Sequence, residues 1–172
     1  MAFKQIELSS LSFNPFDKFN REWALVTAGT TSGYNTMTVS WGGMGELWNK
    51  DVVTIYIRPQ RYTREFLDAN DRFTLSFYDP QYKDALRYLG RTSGRDTYKA
   101  THVGFTPAYV DGTVTFEQAS LSLVCRKLYA DTIKPECFVA EGLDERNYPE
   151  KDYHIMYIAE VECVLEHAEA RA

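Results

Sequence analysis

Residues 34–43 read YNTMTVSWGG, and this stretch decides the fold of the chain. Its β-branched and aromatic residues favour an extended backbone, and Gly42–Gly43 ends the run, so the sequence predicts a strand over Thr36–Trp41. Successive side chains of a strand point to opposite faces. Met37 therefore lies on one face, and Trp41 follows at the end of the strand. The hydroxyl-bearing residues on the other face are Thr36, Thr38 and Ser40.

Similar runs lie on both sides of this strand. Residues 23–28 and 52–57 are rich in β-branched and aromatic side chains and predict two further strands. Phe73, Leu75 and Phe77 alternate with polar residues, which is the period of a half-buried strand. The first half of the chain is therefore expected to form mainly a sheet.

A short helix is predicted over residues 60–69, after the third strand. Tyr62 and Phe66 stand at helical spacing there, and the first turn of the helix would contain Arg61 and Thr63. Such a turn, with a cation and a hydroxyl, suits an anion.

A second helix is predicted from the signals at its two ends. Asp79 is expected to cap it, Pro80 to occupy the first helical position, and Gly90 to stop it. Leu86 and Leu89 would supply its buried face.

The last third of the chain predicts strands again. Leu121, Leu123 and Cys125 alternate with other residues in the first of them. In the last strand one face is expected to carry Tyr153, Ile155, Tyr157, Ala159, Val161, Cys163 and Leu165. Met156, Ile158 and Val164 interrupt the opposite face, which indicates that another surface, such as a dimer interface, covers part of it. Many antiparallel strands with two or three helices favour an α+β domain built on a barrel. A doubly wound parallel fold would need regular strand–helix alternation, which the sequence lacks.

Length and charge limit the classes of function. The 172 residues suit one domain, 1–172, and contain no repeat or linker. The net charge of -5 and the absence of a basic block argue against nucleic-acid binding. No apolar run has the length of a membrane span, and the amino terminus does not resemble a secretory signal. We therefore expect a soluble, cytoplasmic protein without a membrane partner.

Three cysteines give no framework for disulfides or zinc. Cys125, Cys137 and Cys163 are odd in number, widely spaced and lack a C-x-x-C motif, so reduced thiols are expected. A redox role for Cys137 stays open, because its loop-like context could expose it.

Two stretches could bind a phosphate. Arg61 and Thr63 form the first, and the second contains Ser93, Gly94, Arg95 and Lys99. The hydroxyl face of the 36–41 strand offers a surface for a flat ring. Solvated charges, an ordinary turn and a solvated strand face remain the plain alternatives for these features.

Other chemistries lack their motifs. The sequence contains no Walker loop, no G-x-G-x-x-G and no G-x-S-x-G, and the histidines have no distinctive context. No metal-ligand spacing is recognised, so neither a metal site nor a catalytic triad is predicted.

Three blocks in this order resemble the flavin reductase-like family of FMN-binding split β-barrels. They are residues 34–43, RPQRYT at 58–63 and GRTSGRD at 90–96, and the likeness runs from about Asn14 to Tyr129. It implies an α+β, mostly antiparallel split β-barrel with two or three short helices that binds FMN. The residues that match the family's FMN contacts are Thr36, Met37, Thr38, Ser40, Trp41, Arg58, Arg61, Thr63, Ser93 and Lys99.

The resemblance also implies an activity and an assembly. Members commonly transfer a hydride from NAD(P)H to bound flavin and pass electrons to a small-molecule or protein acceptor, and no catalytic acid or base is then expected. An FMN-binding electron carrier or flavin-storage protein without efficient NAD(P)H turnover is the alternative. A homodimer is implied, and residues 134–152 match no part of the family.

Overall fold

A mostly antiparallel sheet dominates the computed structural model, which describes residues 2–169. Within these residues, eight strands pair in one sheet in the order β3-β2-β6-β9-β10-β5-β4, and β1 pairs with β10. The eight strands are β1 (Phe3–Ile6), β2 (Ala24–Thr30), β3 (Gly33–Val39), β4 (Gly42–Leu47), β5 (Lys50–Ile57), β6 (Arg72–Phe77), β9 (Leu121–Thr132) and β10 (Ile155–His167). A separate hairpin contains β7 (Pro107–Val110) and β8 (Thr113–Phe116).

The two edges of the sheet meet without pairing among the described residues. β3 and β4 stand at opposite ends of the strand order, yet only Ser40 and Trp41 separate them in the chain. Three peptide steps join Val39 to Gly42 and span at most about 11 Å. The sheet therefore curls into a barrel that is open along one line, between β3 and the β4–β5 hairpin.

The interior of the barrel is apolar, as the alternation in the sequence predicted. Val26, Met37, Ile55 and Phe73 belong to one buried cluster, together with Tyr157 from β10. The strand predictions around residues 23–28, 36–41, 52–57 and 73–77 are confirmed. The exceptions are Trp23, which precedes β2, and Ser40 and Trp41, which lie between β3 and β4.

A second layer packs on the outer face of β2 and β3. Leu25, Leu86, Leu89 and Phe116 form its buried cluster, between the sheet, α3 (Lys83–Arg91) and the β7–β8 hairpin. The Thr38 hydroxyl donates to the Leu86 carbonyl oxygen over 2.5 Å. This layer fixes the position of α3 beside β3.

The helices differ from the prediction at their ends. α2 (Thr63–Ala69) begins at Thr63 rather than at residue 60. A 3₁₀ turn over Pro80–Tyr82 precedes α3, with Asp79 at its N-cap position and Pro80 at its first position, as predicted, but the Asp79 side chain makes no capping hydrogen bond. The remaining α-helical segments are short: α1 (Pro15–Asp17), α4 (Lys99–His102) and α5 (Leu143–Asn147).

Gly90 has a packing role and does not stop α3. The helix continues to Arg91, and a Cβ placed on Gly90 would lie 3.1 Å from the Cβ of Thr38. The missing side chain therefore allows α3 to approach β3 closely. This corrects the sequence-based interpretation of Gly90 as a stop signal.

β10 does not keep one apolar face along its length. Its pairing with β9 shifts register between Ile158 and Ala159 and again between Val161 and Cys163. As a result Val164 turns into the barrel core, while Cys163 packs in a separate outer cluster. The predicted common face holds for Ile155, Tyr157, Ala159 and Val161, which face the barrel core. It fails at Cys163 and Leu165, because one extra residue of β10 between Val161 and Cys163 reverses the alternation.

Candidate functional site

Three adjoining cavities lie along the open line of the barrel. We name them the cationic, the strand-end and the aromatic cavity, with volumes of about 220, 190 and 550 Å³. The cationic cavity is lined by Asn35, Met37, Arg58, Gln60, Arg61, Tyr62, Thr63, Arg91, Thr92, Ser93, Gly94 and Lys99. The strand-end cavity is lined by Met37, Thr38, Val39, Ser40, Trp41, Tyr56, Arg58, Arg61 and His154. The aromatic cavity is lined by Pro15, Phe16, Phe19, Asn20, Ser40, Trp41, Gly42, Gly43, Met44, Tyr56 and Ile133.

Shared walls show that the three cavities form a row. Met37, Arg58 and Arg61 line both the cationic and the strand-end cavity. Ser40 and Trp41 line both the strand-end and the aromatic cavity. The row therefore changes from positively charged at one end to largely apolar at the other.

Two cations of the cationic cavity lack a carboxylate partner. Arg61 Nη1 donates to the Gly90 carbonyl oxygen over 2.8 Å. Lys99 is 5% exposed, and its Nζ donates to the carbonyl oxygens of Leu89 and Thr92 over 2.8 and 2.9 Å. Neither side chain has an ion pair with any residue in the described range 2–169. Their charges are met only by carbonyl dipoles at the end of α3.

Burial and mutual repulsion make these cations unfavourable without an anion. Burial, and secondly the charge of Arg61, lower the pKa of Lys99 to about 8. Burial, and secondly the charge of Arg58, lower the pKa of Arg61. An anion in the cavity would reverse both effects, because an opposite charge favours the protonated form. The electrostatics of this wall therefore suit a phosphate.

Arg58 is held by the segment between β9 and β10. Its Nη1 lies 2.5 Å from Asp152 Oδ1, and its Nη2 donates to the Asn147 carbonyl oxygen over 3.0 Å. Its guanidinium carbon lies 5.3 Å from the centre of the Tyr148 ring. Residues 134–152, for which the sequence offered no interpretation, therefore position a site cation and partly neutralise it.

Asn35 connects the walls of the cationic cavity. Its Nδ2 donates to Thr63 Oγ1 over 2.8 Å, in a bond between β3 and the first residue of α2. A Cβ placed on Gly94 would lie 2.1 Å from Asn35 Oδ1, so only glycine fits at this point of the 90–96 loop. Thus the three sequence blocks meet at one buried amide.

The predicted hydroxyl face of β3 is occupied by internal bonds. Thr36 Oγ1 lies 2.8 Å from Thr27 Oγ1 and donates to the Val26 carbonyl oxygen over 3.2 Å. Thr38 is bonded to α3, as described above. A solvated face is excluded for Thr36, which is 1% exposed. Ser40, the third residue of this hydroxyl face, is exposed.

A buried histidine lies at the centre of the row. His154 lines the strand-end cavity, and its ring packs 5.0 Å from the ring of Trp41. The Tyr148 hydroxyl lies 2.9 Å from His154 Nδ1. Burial, and secondly the charge of Arg58, lower the pKa of His154 to about 4, so the imidazole is neutral at pH 7. It can then offer a hydrogen bond without adding charge.

Close packing shapes the aromatic cavity. Trp41 is 47% and Phe16 82% exposed, so both rings are available to a ligand at the rim. A Cβ placed on Gly42 would lie 2.3 Å from the Phe19 ring, which allows Phe19 to form the floor of the cavity. Phe19 belongs to a π-helical turn over Lys18–Glu22.

Nine of the ten residues predicted from the sequence line this row of cavities. They are Met37, Thr38, Ser40, Trp41, Arg58, Arg61, Thr63, Ser93 and Lys99. Thr36 lies outside it, on the opposite face of β3. Asn35, Tyr56 and His154 also line the row and were not predicted. Asn35 could have been recognised as a site residue, because its amide stands among apolar residues on the inward face of β3.

Residues 2–169 offer neither a metal site nor a membrane-spanning helix. No group of three or more His, Cys, Asp or Glu side chains could hold a metal ion there. None of the helices in that range is both long and apolar enough to cross a membrane. Cys137 is exposed, whereas Cys125 and Cys163 are buried.

Solved structures with the same fold include proteins that bind flavin. An FMN-binding domain of a flavin reductases-like enzyme from Shewanella baltica has a TM-score of 0.68 and 18% identity, over 98% of this chain and 81% of that chain. Flavoredoxin of Desulfovibrio vulgaris has a TM-score of 0.68 and 16% identity, over 96% and 78%. A protein from Shewanella frigidimarina with a split barrel domain has a TM-score of 0.68 and 15% identity, over 87% and 68%.

These likenesses establish the fold as a split barrel. A comparison with curated proteins gave no match. The sequence itself matches the flavin reductase like domain over residues 16–172, which is most of the chain. The chain therefore belongs to the flavin reductase-like domain family.

Proposed function

We propose that the chain is an FMN-dependent oxidoreductase of flavin reductase type, which passes a hydride from NAD(P)H to bound flavin and electrons on to an acceptor. The observation that carries the proposal is the row of three cavities, cationic at one end and aromatic at the other. FMN has the same polarity, with a phosphate at one end and a flat ring system at the other. Membership of the family and the flavin bound by its structural neighbours support this choice of cofactor.

The residues present fit FMN at the phosphate end. Lys99 is buried and Arg61 half-buried, both have only carbonyl partners within residues 2–169, and Ser93 adds a hydroxyl to the same cavity. Charge-assisted hydrogen bonds from such groups to a phosphate are stronger than those between neutral groups. We propose that these three residues hold the phosphate and that Thr63 with Asn35 keeps the wall in place.

The residues of the other two cavities would hold and orient the ring system. Trp41 and Phe16 provide aromatic surface at the rim, and Met37 provides an apolar wall beside the cations. Neutral His154 offers a hydrogen-bonding edge in the same space. Bound FMN would supply the hydride-accepting chemistry, so the chain's own task is to bind, orient and exclude water. No acid or base residue is required of it.

We also propose a homodimer, a cytoplasmic location and a small-molecule or protein acceptor, all of which remain predictions. The exposed rings of Trp41, Trp48 and Tyr129 give apolar surface that a second copy could cover. Size-exclusion chromatography with light scattering would measure the number of chains in solution.

Absorbance of the purified protein tests the proposal most directly. We expect flavin bands in the protein as purified or after addition of FMN, and a protein that binds no FMN would end the proposal. Anaerobic stopped-flow mixing with NADH or NADPH then measures reduction. Bleaching faster than that of free FMN supports the reductase. Tight FMN binding with bleaching no faster than free FMN identifies the electron carrier or storage protein instead.

A further inference from the structure

We propose that a fourth cavity, next to the cationic one, binds an adenosine 5′-phosphate group of a dinucleotide ligand. The inference rests on the proposed function, because it takes the cationic cavity as the site of a flavin phosphate. We name this fourth space the Tyr98 cavity. It has a volume of about 650 Å³, within the range of small-molecule sites. The groups that matter in its lining are Thr31, Ser32, Tyr62, Arg95, Tyr98 and Lys99.

The Tyr98 cavity adjoins the cationic cavity at the amino-terminal end of β3, where residues 31–36 line it. Asn35, Tyr62, Gly94 and Lys99 line both cavities. Thr36 faces the Tyr98 cavity, whereas the next residue, Met37, faces the cationic and strand-end cavities. A group attached to a phosphate in the cationic cavity can therefore extend away from the ring end of the row. In FAD an adenosine 5′-phosphate group is attached to the phosphate of FMN.

The aromatic lining suits a nucleobase. Tyr98 is 91% exposed, and within the described part of the chain its ring has no aromatic neighbour. Tyr62 offers a second ring, packed between Phe66 at 5.2 Å and the Arg95 guanidinium at 4.6 Å. Bases stack on such exposed aromatic rings with little dependence on sequence. The Tyr98 ring is thus available to stack on a base, and the Tyr62 ring beside it is held by its neighbours.

The polar lining suits a ribose phosphate. Lys99 lies in the wall between the two cavities, so a second phosphate joined to the first would meet the same buried amine. Arg95 reaches the cavity from the loop and is held by Glu65 and by the Gln60 carbonyl oxygen. Thr31 and Ser32 are exposed residues of the same lining, and their hydroxyls can bond a ribose.

Calorimetric titration with AMP, FMN and FAD tests the site in the full-length protein. Wild-type protein should bind AMP alone and should bind FAD more tightly than FMN. Tyr98→Ala should weaken AMP and FAD binding by about fivefold or more, the lower range for loss of a base–aromatic stack, and leave FMN binding unchanged. Tyr98→Phe should retain wild-type affinities because it keeps the ring. Tyr129→Ala, an exposed tyrosine outside the four cavities, is the matched control.

A second pair of ligands identifies which dinucleotide brings the group. If FAD is the source, Tyr98→Ala binds FAD more weakly than the wild type does. If a nicotinamide dinucleotide is the source, Tyr98→Ala raises the KM for NADH but not for reduced nicotinamide mononucleotide, which lacks the adenosine phosphate. The inference is overturned if AMP does not bind and Tyr98→Ala changes neither the affinity for FAD nor the KM for NADH. Failure of FMN to bind, with AMP still bound, would instead overturn the proposed function alone.

Discussion

Asn35 Nδ2 donates a hydrogen bond of 2.8 Å to Thr63 Oγ1, and both side chains are buried. The bond fixes β3 to the first residue of α2, at the point where Gly94 of the third sequence block touches the same amide. One side chain therefore sets the relative positions of the three blocks that form the cationic cavity. Loss of this bond should alter both stability and phosphate binding.

A double-mutant cycle measures the Asn35–Thr63 bond. Asn35→Ala and Thr63→Val should each lower the free energy of unfolding by about 1–3 kcal/mol, because each leaves a buried polar partner unsatisfied. The double variant should lose less than the sum, with a coupling of about 0.5–3 kcal/mol. Urea denaturation of the four proteins gives the result. Strict additivity would show that the bond contributes nothing.

Arg61→Ala should weaken FMN binding by about 10- to 150-fold, which corresponds to about 1.5–3 kcal/mol for a hydrogen bond to a charged group. Riboflavin binding should change little, because riboflavin has no phosphate. Fluorescence titration with both flavins measures the difference. Arg64→Ala is the matched control, since Arg64 pairs with Asp68 on the same helix and lines none of the three cavities. An equal loss for FMN and riboflavin would place the phosphate elsewhere.

A high content of β-branched and aromatic residues was sufficient to predict β2, β3 and β5, and alternation was sufficient to predict β6, because each strand packs apolar side chains in the core. β4 was missed because Gly42, Gly43 and Gly45 have no side chains that could show a pattern. The bulges of β10 were missed for a different reason. A bulge depends on the pairing with β9, and a single strand's sequence does not record its partner's register.

Site residues could be predicted where cations, hydroxyls and glycine cluster in the sequence. They could not be predicted where the contact between distant residues forms only on folding. Arg61 and Lys99 were found as cations among hydroxyls and glycine. Their lack of carboxylate partners could not be seen, because it depends on α3 ending between them. His154 was missed because its neighbour Trp41 is far away in the chain.

FMN affinity should fall as the pH rises above about 8, because Lys99 loses its proton there. Burial lowers its pKa to about 8, so the free site begins to lose this charge near that pH, whereas the phosphate is already a dianion. Lys99→Met should bind FMN more weakly at pH 7 and show a flatter dependence up to pH 9. Titrations with FMN across this range test it, and riboflavin serves as the control ligand.

The same shift predicts an effect on stability of the protein without ligand. Between pH 8 and the ordinary lysine pKa of 10.5, the unfolded chain holds a proton that the folded chain has lost. The free energy of unfolding therefore gains from Lys99 as the pH rises through this window. The difference in the free energy of unfolding between wild type and Lys99→Met should change over that pH interval only. A constant difference would mean that the amine is not desolvated.

His154 should make the fold sensitive to acid. Its pKa is lowered from 6.5 to about 4, first by burial and then by the charge of Arg58, against the opposing effect of Asp152. Between these values the unfolded chain binds a proton and the folded chain does not, so the free energy of unfolding falls as the pH falls from 6.5 towards 4. His154→Gln should remove this contribution, which amounts to at most about 3 kcal/mol. Urea denaturation of both proteins at pH 7 and pH 4.5 measures it. His102→Gln, at an exposed histidine that stacks on Tyr88, should follow the wild type. If His154→Gln keeps the wild-type dependence on pH, folding does not lower the pKa of His154, and the imidazole is not desolvated as assigned.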